Sequence, residues 1–247
     1  MQAKIQLSIV LLLIAVNVMS QHRQQAIPGQ IETCINRFQL RSSDKNGNGW
    51  AHYYIPKGMG DTLTVKMSCV YVGRQTHAPH VHNEDEAFYI IRGPVNFHIN
   101  GEERILHTGD FVYTPGKSSH NIQRVNETDT IKYLVIKRET VKDVDTPRST
   151  GKANYTMDDC CHYPANDSAW ADRKNAASVK LLDKAFADGF QIVMERVTNR
   201  KKVFQNANPR NAGQTAIYVL SGEADVTLDG QRARLYADNT FYCPKQS

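Results

Sequence analysis

Residues 73–93 read GRQTHAPHVHNEDEAFYIIRG, and residues 109–121 read GDFVYTPGKSSHN. In the first stretch His80 and His82 are two apart, so on a strand both point to one face, and Glu86 lies a further even step along. The apolar residues that follow, from Ala87 to Ile91, are enough to bury that strand. In the second stretch His120 stands beyond a Pro115-Gly116 turn, from where a neighbouring strand can bring it to the same point. Three imidazoles and one carboxylate suit a single divalent transition metal ion such as iron, manganese, nickel or copper, with positions left for water, oxygen or substrate. Isolated histidines in strands are more often surface or hydrogen-bonded core residues, which is the reading for His52, His98, His107 and His162. Burying three histidines and a carboxylate together without a metal would be costly. His77 is odd-spaced from His80, faces away on a regular strand, and reads as a residue of the pocket rim.

Outward from these stretches the chain is a series of short strands broken by turn residues. Leu63–Val72 alternates apolar and polar; Val95–Ile99 alternates again before Asn100-Gly101; Phe111–Tyr113 and Ile131–Ile136 add further strands. Asn-Gly between two alternating runs is a strong hairpin signal. No amphipathic helix of three turns appears from Leu63 to Lys137, so an all-β fold, an antiparallel barrel or sandwich, is expected. Residues 139–188 read differently, with Pro147, Gly151, Cys160-Cys161 and a helical pattern over Asp172–Phe186, and are expected to form a connection with one or two helices.

The first pattern then returns. AFYIIRG (87–93) matches AIYVLSG (216–222) at an offset of 129, Gly101 falls on Gly230, and Val112–Pro115 falls on Phe241–Pro244. Matches at one constant offset indicate a duplicated barrel. The expected organisation is a signal peptide at 1–20, an N-terminal barrel at 30–138, the connection at 139–188 and a C-terminal barrel at 189–247. The counterpart of Lys137 would fall beyond Ser247, so either the sequence is a fragment or the second barrel closes with a strand from elsewhere. At the ligand positions the second barrel has Pro209, Asn211 and Thr215, and nothing for His120; it is expected to be metal-free.

Lys4, the apolar run Ile9–Val16 and the small residues Val18 and Ser20 before Gln21 have the order of a secretory signal peptide. The run is shorter than the roughly 20 residues of a membrane span. A secreted, extracellular protein free of the membrane after cleavage is therefore expected, and three sequons agree, at Asn126, Asn154 and Asn166, each a candidate glycosylation site. Five cysteines (Cys34, Cys69, Cys160, Cys161 and Cys243) would then meet an oxidising compartment, with at least one left unpaired within the chain. The formal charge of +5 is spread over scattered basic residues without interleaved aromatics, which argues against nucleic acid as a partner.

The two stretches resemble both motifs of the cupin superfamily: His-x-His-x(3)-Glu-x(6)-Gly at His80–Gly93, and Gly-x(5)-Pro with a histidine five residues later at Gly109–His120. Six rather than five residues precede His80, Gly116 follows Pro115 directly, and no asparagine stands four residues after His120; these departures lie outside the ligand set. The family spacing assigns the acid to Glu86, leaving Glu84 and Asp85 as a solvated acidic turn. Within the superfamily the chain looks most like bicupin dioxygenases of the quercetinase (flavonol 2,4-dioxygenase) group. That resemblance implies oxygenative C–C cleavage of a small phenolic or flavonol-like substrate, with dioxygen as co-substrate. Glu86 would be both ligand and catalytic proton acceptor, since a carboxylate beside a divalent cation can take a substrate hydroxyl proton. An oxalate oxidase or decarboxylase is one alternative, weakened by Val81 between the ligand histidines where germin-like proteins often have threonine. A secreted small-molecule-binding or storage glycoprotein without enzymatic activity is the other. Self-association into a homo-oligomer is compatible with any of them.

Overall fold

The computed structural model describes residues 9–16, 31–38, 49–55, 62–74, 76–138, 155–162, 176–182, 190–197 and 214–243. Two strands come first, β1 (Ile9–Val16) and β2 (Ile35–Arg37), the latter preceded by one 3-10 turn at Ile31–Cys34. They are followed by β3 (Gly49–Ile55), β4 (Leu63–Val70), β5 (Asp85–Arg92), β6 (Val95–Ile99), β7 (Glu102–Leu106), β8 (Phe111–Thr114), β9 (His120–Arg124) and β10 (Ile131–Arg138). A single helical turn, α1 (Met157–Cys160), leads into β11 (Cys161–His162). The remainder is β12 (Ala176–Leu182), β13 (Phe190–Val197), β14 (Gln214–Ser221), β15 (Glu223–Leu228), β16 (Gln231–Tyr236) and β17 (Asn239–Cys243). The expected all-β, tandem architecture is present. None of the helices among the described residues is long and apolar enough to cross a membrane. The chain divides into two compact units, Gln39–Ala165 and Met1–Phe38 with Asn166–Ser247.

In the first of these units a six-stranded antiparallel sheet runs β11-β8-β5-β10-β4-β3, and a three-stranded sheet runs β7-β6-β9. Phe88, Ile90, Val112, Tyr133 and Val135 from the larger sheet pack with Phe97, Ile99 and Ile122 from the smaller one. The Phe88 and Phe97 rings meet at 5.1 Å between centroids. The hairpin signal at Asn100-Gly101 is a two-residue loop: Ile99 pairs with Glu102, and both loop residues have positive φ, 49° and 89°. That is the backbone that Asn and Gly accept most readily in a hairpin whose turn must match strand twist.

The second unit repeats this arrangement. Gln214 opens β14 129 positions after Asp85 opens β5, and Asp229-Gly230 forms the same positive-φ loop between β15 and β16. Its main sheet runs β12-β13-β1-β14-β17-β2. Matched strand for strand, β1 takes the place that β10 occupies in the first unit, antiparallel to both neighbours, with Leu13 opposite Val193 on one side and Ile217 on the other. That strand is Ile9–Val16, the apolar run read from the sequence as part of a signal peptide.

Two expectations are corrected here. The helix expected over Asp172–Phe186 is in part a strand: Ala176–Leu182 is β12, paired with β13 from Ala176 opposite Val197 to Leu182 opposite Ile192. Val179, Leu181 and Leu182 are buried, so pairing and burial override a sequence that reads as helix locally. The boundary of the first barrel also moves: Ile35–Arg37, placed in it from the sequence, pairs instead with β17 of the second unit.

Candidate metal centre

The large sheet carries Glu86 in β5, held in register by β10 and β8, where it faces Lys137 and Thr114. The Thr114 hydroxyl donates to the Glu86 carbonyl at 3.0 Å, fixing the backbone at the point where the carboxylate leaves it. His120 opens β9 of the smaller sheet, and a pair of backbone hydrogen bonds joins it to His80: His80 N to His120 O at 3.2 Å and His120 N to His80 O at 3.0 Å. Lys117 N donates to His82 O at 2.7 Å, which ties the second motif to the first. The structure therefore brings His80, His82, Glu86 and His120 together, with one ligand atom from each lying within 4.8 Å of all the others.

The orientation of the rings suits an ion. His82 Nδ1 lies 3.0 Å from the Glu84 carbonyl and His120 Nδ1 lies 2.9 Å from the Ser118 carbonyl. A carbonyl accepts only, so each Nδ1 carries the proton and each Nε2 of a neutral ring turns a lone pair inward. Those Nε2 atoms lie 3.0 and 2.7 Å from the same oxygen, Glu86 Oε2. Lone pairs facing a carboxylate oxygen repel unless a proton or a cation stands between them, and a divalent cation satisfies all three at once. His80 Nδ1 is buried with no hydrogen-bond partner. Burial, and then His120, His77 and His82 nearby, hold His80 below the ordinary imidazole value, which keeps it neutral and available as a donor.

Glu86 is buried, and burial alone would push it up. Where the Nε2 atoms of His120 and His82 carry protons, their hydrogen bonds, together with the charge of Lys137, outweigh this and hold the carboxylate far below its usual range; with Nε2 unprotonated, that place is open to a cation. Lys137 Nζ lies 2.5 Å from Glu86 Oε1, the oxygen that the histidines leave free. His77 sits on the rim as expected, its ring 4.4 Å from that of His80 and its Nδ1 turned to the Ala78 carbonyl.

The acidic pair beside Glu86 is not a solvated turn. Asp85 is fully buried, with Oδ2 2.7 Å from Arg138 Nη2 and Oδ1 accepting from Gly116 N at 2.9 Å. Glu84 is only partly exposed, with a carboxylate oxygen 3.3 Å from His82 Nδ1. The reason is the strand itself: Asp85 faces away from Glu86, into a side of the sheet that is also buried. Arg138, Lys137 and Lys66 are the site residues that sequence reasoning passed over. The signal available for them was strand parity, once the pairing of β10 with β5 and β4 is known. Of the other histidines, His98 bonds to Glu103 at 3.1 Å and His52 packs on Tyr54; the side chain of His162 lies outside the described residues. Thr215, at the second unit's Glu86 position, is buried opposite Cys243, while Pro209 and Asn211 lie outside the described residues. Asn126 is in an exposed turn, its Oδ1 accepting from Thr128 N and Asp129 N; Asn154 and Asn166 lie outside the described residues.

With the fold and the four-residue cluster in place, the class is defined: a double-stranded β-barrel with an inward three-histidine, one-carboxylate set. Comparison with family models matches residues 67–137 to the cupin domain. Residues 67–137 are a cupin domain, and the fold of the chain is similar to that of bicupins. Among solved structures it is similar to a deletion mutant of oxalate decarboxylase OxdC from Bacillus subtilis, at 13% identity over 86% of this chain and 71% of that one, with a TM-score of 0.51. It is also similar to a protein of Pseudomonas aeruginosa named as glyoxylate-induced, at 10% identity over 80% of this chain and 71% of that one, with a TM-score of 0.57. The DMSP lyase DddQ of Ruegeria pomeroyi matches at 22% identity over 43% of this chain, which spans about half (54%) of that protein, with a TM-score of 0.35. A search of curated proteins finds no match.

Proposed function

We propose that this is a secreted, metal-dependent cupin oxygenase acting on a small substrate with an acidic hydroxyl, of the phenolic or flavonol-like kind. The observation that carries the reading is the convergence of His82, His120 and Lys137 on one ionised carboxylate, with His80 beside them. A bound divalent ion would supply Lewis acidity toward a substrate oxygen and a place for dioxygen. His80, His82, Glu86 and His120 would hold it. Around them the chain provides the rest: Ser118 and Glu84 carbonyls orient the rings, and the Phe88 ring, 5.8 Å from His120, walls the site with apolar surface. Glu86 Oε1 is the oxygen placed to take a hydroxyl proton. Lys137 weakens it as a base while it stays in contact, so proton transfer requires the ammonium to turn from Glu86 toward the developing oxyanion.

The test is metal analysis joined to oxygen uptake. Protein from its native source should carry about one transition-metal ion per chain, and His80→Ala or His120→Ala should remove most of it. Glu86→Gln should keep much of the metal and lower oxygen consumption with a phenolic substrate roughly a hundredfold or more. Oxygen uptake at the parent rate in Glu86→Gln would remove Glu86 as the base. Metal occupancy without uptake on any phenol would turn the reading toward a binding protein. Secretion predicts a mature N-terminus near Gln21, so that the mature second unit would lack β1, and a glycan on Asn126, both read by mass spectrometry.

A further inference from the structure

The five cysteines are divided between the two units: Cys69, Cys160 and Cys161 lie in the first, and Cys34 and Cys243 lie in the second. Cys243 closes β17, and Cys34 ends the 3-10 turn that leads into β2; these two strands pair with Phe241 opposite Ile35. From that pair Cys243 stands two residues further along and Cys34 one, in the same direction. With strands about 4.8 Å apart and a step of about 3.4 Å per residue, the two Cα atoms come within about 6–7 Å, the reach of a disulfide. On a continued strand Cys34 would face away from Cys243. The 3-10 turn instead brings it onto one apolar cluster, in which Cys243, Phe241 and Ile31 are buried and against which Cys34 packs. The two thiols also interact: burial pushes Cys243 up to about 11, and the charges of Cys34 and Asp229 add to the shift.

In the first unit the equivalent turn is α1. Met157 N donates to Glu102 at 3.1 Å as Ile31 N donates to Gln231 at 2.9 Å, and Gln231 stands 129 positions after Glu102. A capping box of Thr156 and Asp159 also holds α1, whereas Gln30 and Thr33 occupy those places before Cys34 and are the wrong residues for one. We propose that Cys34 and Cys243 form a disulfide that fastens the N-terminal turn and β2 to β17. This rests on the reading that the chain is secreted, since the bond needs an oxidising compartment. With glutathione disulfide as the oxidant, the Cys34 thiolate attacks one of its sulfurs, forming a mixed disulfide and releasing one glutathione. The Cys243 thiolate then attacks the Cys34 sulfur and releases the second; the two thiol protons pass to the two glutathiones, whose disulfide takes the two electrons. Cys34, the less buried of the pair, is the thiol such an oxidant can reach. β2 is three residues long and lies at the edge of its sheet, the kind of element that opens first unless it is tied down.

The experiment is tryptic mapping by mass spectrometry of the full chain, alkylated without reduction, both from its native source and after refolding in a glutathione redox buffer. The expected species joins Gln24–Arg37 to Leu235–Lys245, the tryptic peptides that hold Cys34 and Cys243. Both cysteines alkylated in the refolded, oxidised protein, or either one joined to Cys69, Cys160 or Cys161, overturns the proposal. Deuterium exchange gives a second readout. Backbone amides of Ile35–Arg37 should exchange at least about tenfold faster in Cys34→Ala and in Cys243→Ser than in the oxidised parent. Metal content should be unchanged in both, because none of the four ligands lies in the second unit. Equal exchange in the oxidised parent and both variants overturns the fastening role. The two readings fail separately. A bridge after refolding, in a chain whose native-source form keeps both thiols and residues 1–20, removes the secretion reading and leaves the pair. A mature N-terminus near Gln21 with both thiols alkylated does the reverse.

Discussion

Replacing Arg138 with methionine is expected to cost the first unit about 3–5 kcal/mol, because it strands a buried carboxylate. Asp85 opens β5 and Arg138 closes β10, directly opposite in register, and the pair is 0% and 4% exposed. Their 2.7 Å contact anchors Asp85, as does the hydrogen bond from Gly116 N at 2.9 Å. Methionine restores the buried volume of the arginine stem but none of its charge, so desolvation of Asp85 dominates the loss. Against a total of about 5–15 kcal/mol for a domain this is a large fraction. With a urea slope of about 2 kcal/mol/M, the unfolding midpoint should fall by about 2 M. The assay is urea denaturation followed by Trp50 fluorescence in a Trp170→Phe background. Asp85→Asn combined with Arg138→Met removes the stranded charge and should recover most of the loss, so the double-mutant cycle returns a coupling of about 2–3 kcal/mol. A single-variant loss under about 1 kcal/mol, with additive effects in the cycle, would refute the reasoning. The site should register the change too: Asp85 binds the turn that delivers His120, so metal affinity falls together with stability.

The pH dependence of the metal-free protein follows from the two groups held low. His80 and Glu86 both contribute stability that is present above their unfolded values, about 6.5 and 4.3, and lost as pH falls through their lower folded values. Thermal midpoints in chelator should therefore be level above about pH 7 and decline in two stages below it; a profile flat down to pH 4 contradicts the assignment. Gly101→Ala forces a residue with a side chain into φ 89° and should cost about 1–2 kcal/mol by chemical denaturation without altering metal content. Deleting residues 1–20 removes β1 but touches none of the four ligands; metal content should hold while backbone amides of β13 and β14 that face β1 exchange rapidly with deuterium. Unchanged exchange there would mean that another strand fills the place.

What was legible in the sequence was whatever depends on local spacing. The Asn100-Gly101 turn and the constant offset of 129 are properties of a few neighbouring residues, and each has its counterpart in the fold; His80, His82 and Glu86 do converge, but only Glu86 lies in a strand, His80 standing in an isolated bridge and His82 in the loop before β5. Asp85 was misread because an acidic residue beside a turn is usually solvated. Only the pairing of β5 with β10 shows that the face it points to is closed: Ala87 and Tyr89, its neighbours on that face, are buried. Lys66 was passed over for the related reason that alternation in Leu63–Val70 seems to name the apolar side as the interior. In this sheet both sides are buried, and the polar side is the one that meets Glu86 and Phe88. The segment 176–182 was misread because Ala, Ser, Lys and Leu fit a helix locally, and no local feature announces an edge strand.

The duplicated unit separates what the fold demands from what the site demands. Asp229-Gly230 keeps the positive-φ loop of Asn100-Gly101, and β14 pairs with β17 as β5 pairs with β8, Thr215 facing Cys243 where Glu86 faces Thr114. Turn geometry and strand parity are retained because losing either would unmake the sheet. The ligand positions are under no such constraint. A threonine at the place of Glu86 is buried without stranding a charge, so it requires neither a metal nor a lysine opposite. In the first unit the same position holds an ionised carboxylate, and around it have gathered the elements that make its burial tolerable: two imidazoles and an ammonium. Those contacts are the condition under which a carboxylate can be kept inside this barrel.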